Sequence, residues 1–280
     1  MTATKYDPTW VREFYDAYGM KEWNRWERDP AMRVAFAVHT HYLRQYIQPG
    51  QRILEIGAGA GRFTQVLADI GARITVADIS PGQLALNRQQ AEALNYAQAV
   101  EQWVECDACD MRAHFSDRQF DAVVAYGGLL SYVFDQTAPV MVELQRVVKP
   151  NGIIYLEVMS LWGAIRHALP GVLEFPLHIN RRIVTNGDLD CEVGVSQHCR
   201  LYRACEFRNL IEDAGLTIEV LSATEVLSAN WDTQLHYQPE DSATWQHLLE
   251  LELEACREPG CVDLGSHIIA VCRTASKGSA

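Results

Sequence analysis

Short apolar runs alternate along the chain with segments whose apolar residues recur at helical spacing. Seven runs suit buried strands, and in chain order they are RILEIGAG, RITVADIS, QWVECDAC, FDAVVAYGG, IIYLEVMS, TIEVLSA and HIIAVCRT. Amphipathic segments such as RFTQVLADIGA and CEFRNLIEDAGL lie between most of them. Strands that alternate with helices predict an α/β fold with a mostly parallel sheet and right-handed crossovers.

Capping and turn residues mark the ends of several predicted helices. Asp29 and Ser80 each precede a proline, so each is expected to cap a helix whose first turn contains that proline. Gly71 is expected to end the helix that follows the first strand. Pro150 and Gly152 are expected to close the helix TAPVMVELQRVVKPNG before the fifth strand.

The N-terminal segment and two long connections do not fit this simple alternation. Residues 1–48 have a helical pattern and are rich in aromatic side chains, which suit either helix packing or a lid over a ligand site. These aromatic residues are Trp10, Phe14, Tyr15, Tyr18, Trp23 and Trp26. Residues 161–203 and 224–264 are too long for simple connections, and long insertions often carry binding surfaces.

Three alternate glycines follow the first predicted strand. They are Gly57, Gly59 and Gly61. Glycines in a βα turn let the backbone approach a ligand closely, and the following helix presents free N–H groups to it. A dinucleotide fingerprint would place the third glycine at position 62, where this chain has Arg62. Asp78 ends the second predicted strand, where a carboxylate can accept hydrogen bonds from both hydroxyls of a ribose.

With these residues the chain resembles the class I S-adenosylmethionine-dependent methyltransferases. Glu55-x-Gly57-x-Gly59-x-Gly61 is similar to motif I of that family, and VVKPNGIIYLEV looks like its characteristic turn into strand five. Asp107 lies where the family has an acidic residue after strand three, followed by backbone contacts to adenine. The resemblance covers residues 50–160 well and residues 203–274 in outline. It implies a Rossmann-like, seven-stranded, mostly parallel sheet with a reversed seventh strand and helices on both faces.

The resemblance also implies a donor and a set of residues that bind it. The donor is S-adenosyl-L-methionine, the product is S-adenosyl-L-homocysteine, and no metal is expected. The residues expected to contact the donor are Glu55, Gly57, Ala58, Gly59, Gly61, Asp78, Ile79, Asp107, Ala108, Tyr126 and Gly127. Arg25, Arg28 and Arg33 are candidates for its carboxylate, although a solvated charged helix face explains them equally well.

The implied reaction is direct transfer of a sulfonium methyl group to a nucleophile, with inversion at the carbon. Such a site mainly positions the nucleophile and excludes water, and a general base helps where the acceptor carries a proton. The candidates near the acceptor are Tyr132, after strand four, and His178, His198 and His236 in the two insertions. Each also suits a packing or solvated role, and the sequence does not choose among them.

The predicted organisation has seven parts. They are a helical lid at 1–48, a cofactor-binding Rossmann-like core at 49–160, a substrate-region insertion at 161–203, a core helix and strand six at 204–223, a second insertion at 224–264, a final strand at 265–274 and a tail at 275–280.

Charge and hydropathy narrow the class of partner. The formal net charge is −12 and there is no run of Lys and Arg, which disfavours a nucleic-acid groove. No stretch reaches the roughly 18 apolar residues of a membrane span, and the N-terminus lacks the apolar core of a signal peptide. We therefore expect a cytoplasmic monomer or homodimer without membrane or nucleic-acid partners. The expected acceptor is a small molecule, such as an aromatic or heterocyclic intermediate of specialised metabolism.

Three alternatives remain open at this point. An NAD(P)-dependent oxidoreductase would keep the glycine turn and Asp78. A noncatalytic regulatory subunit that binds S-adenosylmethionine would keep the whole motif. A thiol-dependent arsenite methyltransferase would use several of the eight cysteines, but only Cys106 and Cys109 form a C-x-x-C pair and the others are scattered. Packing explains that pair better than a metal or redox role.

Overall fold

A single mixed sheet organises the computed structural model, which describes residues 4–229, 231 and 239–276. Its strands and a separate two-stranded ribbon are β1 Arg52–Ile56, β2 Arg73–Asp78, β3 Val100–Glu105, β4 Phe120–Ala125, β5 Val148–Met159, β6 Asp188–Leu189, β7 Cys199–Arg200, β8 Thr217–Ala223 and β9 His267–Arg273. The sheet order is β3-β2-β1-β4-β5-β9-β8, and β6 pairs with β7. Neighbours among β1 to β5 are parallel, whereas β9 is antiparallel to both β5 and β8. The prediction of a seven-stranded sheet with a reversed final strand is confirmed.

Helices precede the sheet, connect its strands and fill both insertions. They are α1 Pro8–Tyr18, α2 Lys21–Asn24, α3 Pro30–Tyr46, α4 Arg62–Ile70, α5 Pro81–Ala93, α6 Leu129–Tyr132, α7 Thr137–Val147, α8 Leu161–His167, α9 Leu169–Val172, α10 Leu177–Asn186, α11 Ala204–Asp213 and α12 Ala243–Ala255. Within the described part of the chain, no helix is both long and apolar enough to cross a lipid bilayer.

The predicted caps form because each side chain accepts from a helix N–H group that has no partner inside the helix. The Asp29 carboxylate accepts from the backbone N–H of Met32 at 2.8 Å and starts α3. The Ser80 hydroxyl accepts from the N–H of Gln83 at 3.0 Å and starts α5. Gly71 ends α4 in the left-handed conformation, as predicted.

Side chains that alternate along each strand build one apolar layer on each face of the sheet. In β1, Ile53 packs with α3 and α4 on one face, and Leu54 packs with α7 and α11 on the other. All of these core side chains are buried, and burying each large apolar side chain contributes about 1.5–3 kcal/mol. The predicted placement of helices on both faces is confirmed.

The turn before the fifth strand differs from the prediction. The helix α7 ends at Val147, and β5 begins directly at Val148 with the KPNG residues inside it as an irregular segment. Pro150 and Gly152 therefore do not close the helix. A side chain at Gly152 would lie 2.7 Å from the carbonyl oxygen of Asp121 on β4, so this segment is held tightly to the sheet.

The N-terminal helices and the first insertion share a small apolar cluster outside the main core. Val11 of α1 and Tyr132 of α6 pack there with Leu161 of α8 and Ile183 of α10. Because α1 and the insertion meet in this way, two segments far apart in sequence close the same end of the molecule. That end holds the site described below.

Candidate functional site

A cavity lies at the carboxyl ends of the first four strands of the sheet. Ile56, Asp78, Cys106 and Tyr126 end or directly follow β1, β2, β3 and β4, and all four line it. Its volume is about 630 Å³, including its opening to solvent. Open α/β sheets bind ligands at this edge because the loops that leave the strands converge there. A smaller polar cavity of about 330 Å³ adjoins it on the other side of the glycine turn.

The glycine turn separates the two cavities and has a backbone that favours glycine. Gly57, Gly59 and Gly61 have φ values of +70°, +54° and +101°, which side-chain-bearing residues rarely adopt. A side chain at Gly61 would begin 2.9 Å from the amide nitrogen of Asn87. That amide donates to the Gly59 carbonyl at 3.3 Å and to the Thr64 hydroxyl at 2.9 Å. The turn is thus a preformed cradle fixed from behind by α5.

Glu55 connects the strand before the turn to the helix after it. Its buried carboxylate accepts from the Thr64 hydroxyl of α4 at 2.6 Å and borders the smaller cavity. Burial raises the pKa of Glu55 to about 8, although the bond from Thr64 opposes the shift. These contacts give Glu55 a part in ordering the turn.

Asp78 faces the larger cavity and holds the glycine turn from the side. One carboxylate oxygen accepts from the Gly59 N–H at 2.8 Å, and the other accepts from the Ser80 N–H at 2.8 Å. Burial raises the pKa of Asp78 to about 6, although these bonds oppose the shift. A carboxylate oxygen can accept more than one hydrogen bond, so Asp78 can also accept from two neighbouring hydroxyl groups of a ligand.

Asp107, Ala108 and Ile79 lie along the same wall, beyond Asp78. The Asp107 carboxylate accepts from the N–H of Cys109 at 2.8 Å, which fixes the turn after β3. Burial raises the pKa of the Cys106 thiol to about 12, so this thiol stays protonated at neutral pH. In the part of the chain that the structure describes, no three His, Cys, Asp or Glu side chains converge as a metal site.

Gly127 and Tyr126 form the wall between the two cavities, and a buried carboxylate fixes that wall. Glu157 of β5 accepts from the Gly127 N–H at 2.5 Å and lies 3.2 Å from Nε2 of His39 on α3. Burial alone would raise the pKa of Glu157, but His39 and His267 lower it to about 2. A charged residue inside an otherwise apolar strand is the sequence signal for this contact, because such a charge needs a partner.

Aromatic side chains also line the larger cavity, among them Tyr15 and Tyr132. Tyr132 is buried there, its hydroxyl accepts from the side-chain amide of Gln197, and its ring packs edge-on against Tyr15 at 5.5 Å between centroids. Burial raises the pKa of both phenols, so they are neutral at physiological pH. Neutral phenols donate hydrogen bonds and do not act as bases.

The predicted donor-side residues come together, whereas the predicted histidines do not. Every residue predicted to contact the donor borders one of the two cavities. The described residues that line these cavities include no histidine. His178 is exposed on α10, and His198 stacks on Trp10 at 4.5 Å. His236 lies outside the described residues, so its proposed role stays a prediction, as do those of the other two.

Of the three arginines suggested for a carboxylate, only Arg25 reaches a cavity. Arg28 is exposed and pairs with Asp29 at 2.7 Å, and the Arg33 guanidinium stacks on Trp245 of α12 at 4.6 Å. Arg25 borders the smaller cavity beside Gly57 and Gly127.

The sequence interpretation missed residues that the N-terminal segment contributes to the site. They are Tyr6, Val11 and Glu22, whereas Tyr15 is predicted only as one of the aromatic residues that suit a lid. Val11 and Tyr15 are four positions apart on α1, a spacing that places them on one helical face, and this was the available signal for these two. Which face meets the cavity depends on tertiary packing, so the spacing alone could not assign them.

Comparison with known proteins agrees with this geometry. Residues 54–156 match the family model described as a methyltransferase domain. A demethylmenaquinone methyltransferase from Clavibacter sepedonicus is 38% identical over 107 residues, which are 38% of this chain and 40% of that protein. A sterol 24-C-methyltransferase from Yarrowia lipolytica is 31% identical over 169 residues, which are 56% of this chain and 42% of that protein. The chain thus spans less than half the length of these two relatives.

A solved structure shares the fold over almost the entire chain. It is a 1,6-didemethyltoxoflavin-N1-methyltransferase from Burkholderia thailandensis with bound 1,6-didemethyltoxoflavin and S-adenosylhomocysteine. The TM-score is 0.57 at 15% identity, and the alignment covers 99% of this chain and 94% of the other. The likeness therefore includes the N-terminal helices and both insertions.

Proposed function

We propose that the chain is a class I S-adenosylmethionine-dependent methyltransferase and that it methylates a small ring-bearing molecule. One observation carries the proposal. The glycine turn and Asp78 line the same cavity as Tyr15 of α1 and Tyr132 of α6. A methyltransferase needs this arrangement, since donor and acceptor must meet in line with water excluded.

The residues present fit the donor. The glycine turn provides a cradle that side chains would fill, Asp78 retains acceptor capacity for two ribose hydroxyls, and Asp107 lies further along the same wall. Ile79 and Ala108 supply apolar surface beside Asp107 for an adenine ring. When bound, S-adenosylmethionine supplies a methyl group on a positively charged sulfur.

Carboxylates around the cavity favour a positively charged donor. Asp78 and Asp107 line it and provide negative charge, whereas the charge of Glu22, which also lines it, is balanced by Arg25. The field of Asp78 and Asp107 is attractive for a sulfonium cation and weaker for the uncharged thioether that remains after transfer, which favours product release. The lid formed by α1 and α2 keeps solvent from this region and so maintains the field.

The aromatic lining of the cavity supports an uncharged acceptor with a ring. Val11, Leu129 and Val133 supply its apolar surface, and Tyr15 and Tyr132 supply phenol hydroxyls that donate hydrogen bonds. A quinone or heterocycle with a ring oxygen or nitrogen suits such donors. The relatives named for demethylmenaquinone, a sterol and 1,6-didemethyltoxoflavin all refer to ring molecules, which supports the same class. We include aromatic and heterocyclic compounds of specialised metabolism in it.

Calorimetry followed by a transfer assay tests this function. S-Adenosylhomocysteine should bind with micromolar affinity and NAD should not bind, and the reverse would overturn the assignment. A metabolite extract incubated with methyl-labelled S-adenosylmethionine should then yield a labelled ring compound. Binding without transfer to any extract or to a panel of quinols and heterocycles would indicate a noncatalytic subunit instead.

A further inference from the structure

Glu22 and Arg25 form an enclosed ion pair where the two cavities meet. The Nε atom of Arg25 lies 2.8 Å from Oε1 of Glu22, and each side chain is only 16% exposed. The two residues are three positions apart, on α2 and the 3₁₀ turn that follows it. Glu22 borders both cavities, and Arg25 borders the smaller one.

The pair stands opposite the glycine turn. The Cγ atom of Glu22 would be 3.1 Å from a side-chain carbon at Gly59, and Nη2 of Arg25 would be 3.8 Å from one at Gly127. The ring of Trp26 lies under the guanidinium of Arg25 at 4.2 Å and fixes its plane. Both charges are therefore held against backbone that lines the predicted donor site.

Enclosing two charges in this way costs free energy, and a ligand that binds both of them would offset that cost. Removing an ion pair from water carries a desolvation cost that its mutual attraction often does not recover. Well-packed apolar side chains in place of a buried ion pair are often at least as stabilising. An acidic and a basic group side by side in a cavity are, however, complementary to a ligand that carries both charges on adjacent atoms.

We propose that Glu22 and Arg25 bind the amino acid end of the donor. The Glu22 carboxylate binds the α-ammonium group, and the Arg25 guanidinium binds the α-carboxylate. Binding exchanges the internal ion pair for two ion pairs with the ligand, so neither charge is left uncompensated in the cavity. This inference rests on the proposed function, and it assigns to the lid a direct part in selecting a zwitterionic ligand.

Shortened ligands distinguish this end of the site from the end at Asp78. 5′-Methylthioadenosine keeps the adenine, ribose and sulfur of S-adenosylhomocysteine but lacks the amino acid group. Decarboxylated S-adenosylhomocysteine keeps the amine and lacks only the carboxylate. Each can be titrated calorimetrically into the wild-type protein and into Glu22→Gln, Arg25→Met and Arg28→Gln. Arg28 is an exposed arginine of the same segment and serves as the matched control.

Glu22→Gln and Arg25→Met should each weaken S-adenosylhomocysteine about tenfold or more while changing 5′-methylthioadenosine less than about threefold. Arg25→Met should bind the decarboxylated ligand about as well as the wild type does, whereas Glu22→Gln should bind it more weakly. Arg28→Gln should match the wild type with all three ligands. Thermal unfolding of each variant verifies that it is folded.

Equal weakening of S-adenosylhomocysteine and 5′-methylthioadenosine in both variants would show that the pair only supports the lid, and would overturn the inference. Unchanged binding of both ligands would overturn it as well. If a variant does not fold, the wild type still provides a test, because a wild type that binds 5′-methylthioadenosine as tightly as S-adenosylhomocysteine would overturn the inference. A wild type that binds none of the three would overturn the proposed function itself.

Discussion

The Asp78 carboxylate has two roles, one in holding the glycine turn and one in binding the ligand. It accepts from Gly59 and Ser80 to hold the glycine turn, and it faces the cavity where a ribose would lie. Asp78→Ala should therefore weaken binding of S-adenosylhomocysteine by about 1–3 kcal/mol, since the ribose hydroxyls lose a charged acceptor. Calorimetry measures this loss. Asp110→Ala is the control, because Asp110 is exposed in the loop that follows β3. If Asp110→Ala binds as weakly as Asp78→Ala, the assignment of Asp78 to the ribose is refuted.

The pKa of Asp78 gives the same contact a pH dependence. Burial raises this pKa to about 6, and a protonated carboxyl group loses the charge that strengthens its acceptor bonds. The affinity of the wild type for S-adenosylhomocysteine should fall as the pH decreases from 7 to 5. Titrations at several pH values measure the trend, and Asp78→Ala should show a shallower one. Parallel pH profiles in the two proteins would mean that another group is responsible.

The raised pKa of Glu55 makes the stability of the folded protein depend on pH. Its pKa of about 8 lies above the ordinary value of 4.5, so between these limits the folded chain holds a proton that the unfolded chain releases. The contribution of Glu55 to stability is greatest at low pH and falls as the pH rises toward 8. The neutral variant Glu55→Gln should gain stability relative to the wild type from pH 5 to 8, by at most about 1.4 kcal/mol per pH unit.

Urea denaturation at pH 5, 6, 7 and 8 measures this difference. Glu92→Gln, at an exposed position of α5, is the control and should track the wild type throughout. A constant difference between Glu55→Gln and the wild type at all four pH values would contradict the raised pKa.

At the residue scale, the sequence predicts the residues that line the candidate site where one local motif supplies them. The glycine turn, Asp78 and Asp107 follow consecutive strands, and parallel strands bring their carboxyl ends to one edge. Glu22 and Tyr15 reach the same cavity from helices that precede the sheet. Their position depends on how α1 docks, which no local pattern encodes. The histidines are predicted from their chemistry alone, and neither His178 nor His198 is among the residues that line the cavity.

At the scale of the elements, a close backbone contact anchors the first insertion to the core. Gly163 in α8 packs against the segment before β9, and a side-chain carbon there would lie 1.6 Å from the carbonyl oxygen of Gly265. Gly163→Ala should therefore destabilise the protein by about 1–3 kcal/mol or more, because one of two backbones must move. Gly171, in the next helix, has no atom within 4 Å of the same position.

Gly171→Ala is thus a matched control and should be neutral or slightly stabilising, because alanine favours helices. Thermal unfolding compares the two variants with the wild type. A Gly163→Ala protein with unchanged melting temperature would show that α8 can shift away from Gly265 at little cost.

The predictions about helices and strands are correct where neighbouring residues decide the structure. They fail where contacts between distant residues decide it. Asp29 and Ser80 cap the predicted helices because capping needs only neighbouring residues. The turn before β5 was assigned wrongly because proline and glycine usually stop a helix, whereas here Asp121 of the adjacent strand binds Lys149 at 2.6 Å and holds the segment in the sheet. The pairing of β6 with β7 has no signal in sequence periodicity, since each strand has two residues.

At the scale of the molecule, the N-terminal helices are attached to the core through polar contacts at the start of α5. The Asp16 carboxylate accepts from the Ser80 hydroxyl at 2.5 Å and from the Gly82 N–H at 2.9 Å. The side-chain amide of Gln83 donates to the Tyr15 carbonyl at 2.8 Å. We propose that α1 is a lid whose opening costs less than global unfolding.

Asp16→Ala should loosen this lid without unfolding the core. The variant loses both contacts of the Asp16 carboxylate, so hydrogen exchange over residues 8–24 should become faster and binding of S-adenosylhomocysteine weaker, while the melting temperature changes little. In the wild type, S-adenosylhomocysteine should slow exchange in the same residues and leave α12 unchanged. Glu13→Ala, at an exposed position of α1, should behave as the wild type. If neither the ligand nor Asp16→Ala changes the rate of hydrogen exchange over residues 8–24, α1 is a fixed wall of the cavity. The acceptor would then need another route into the cavity.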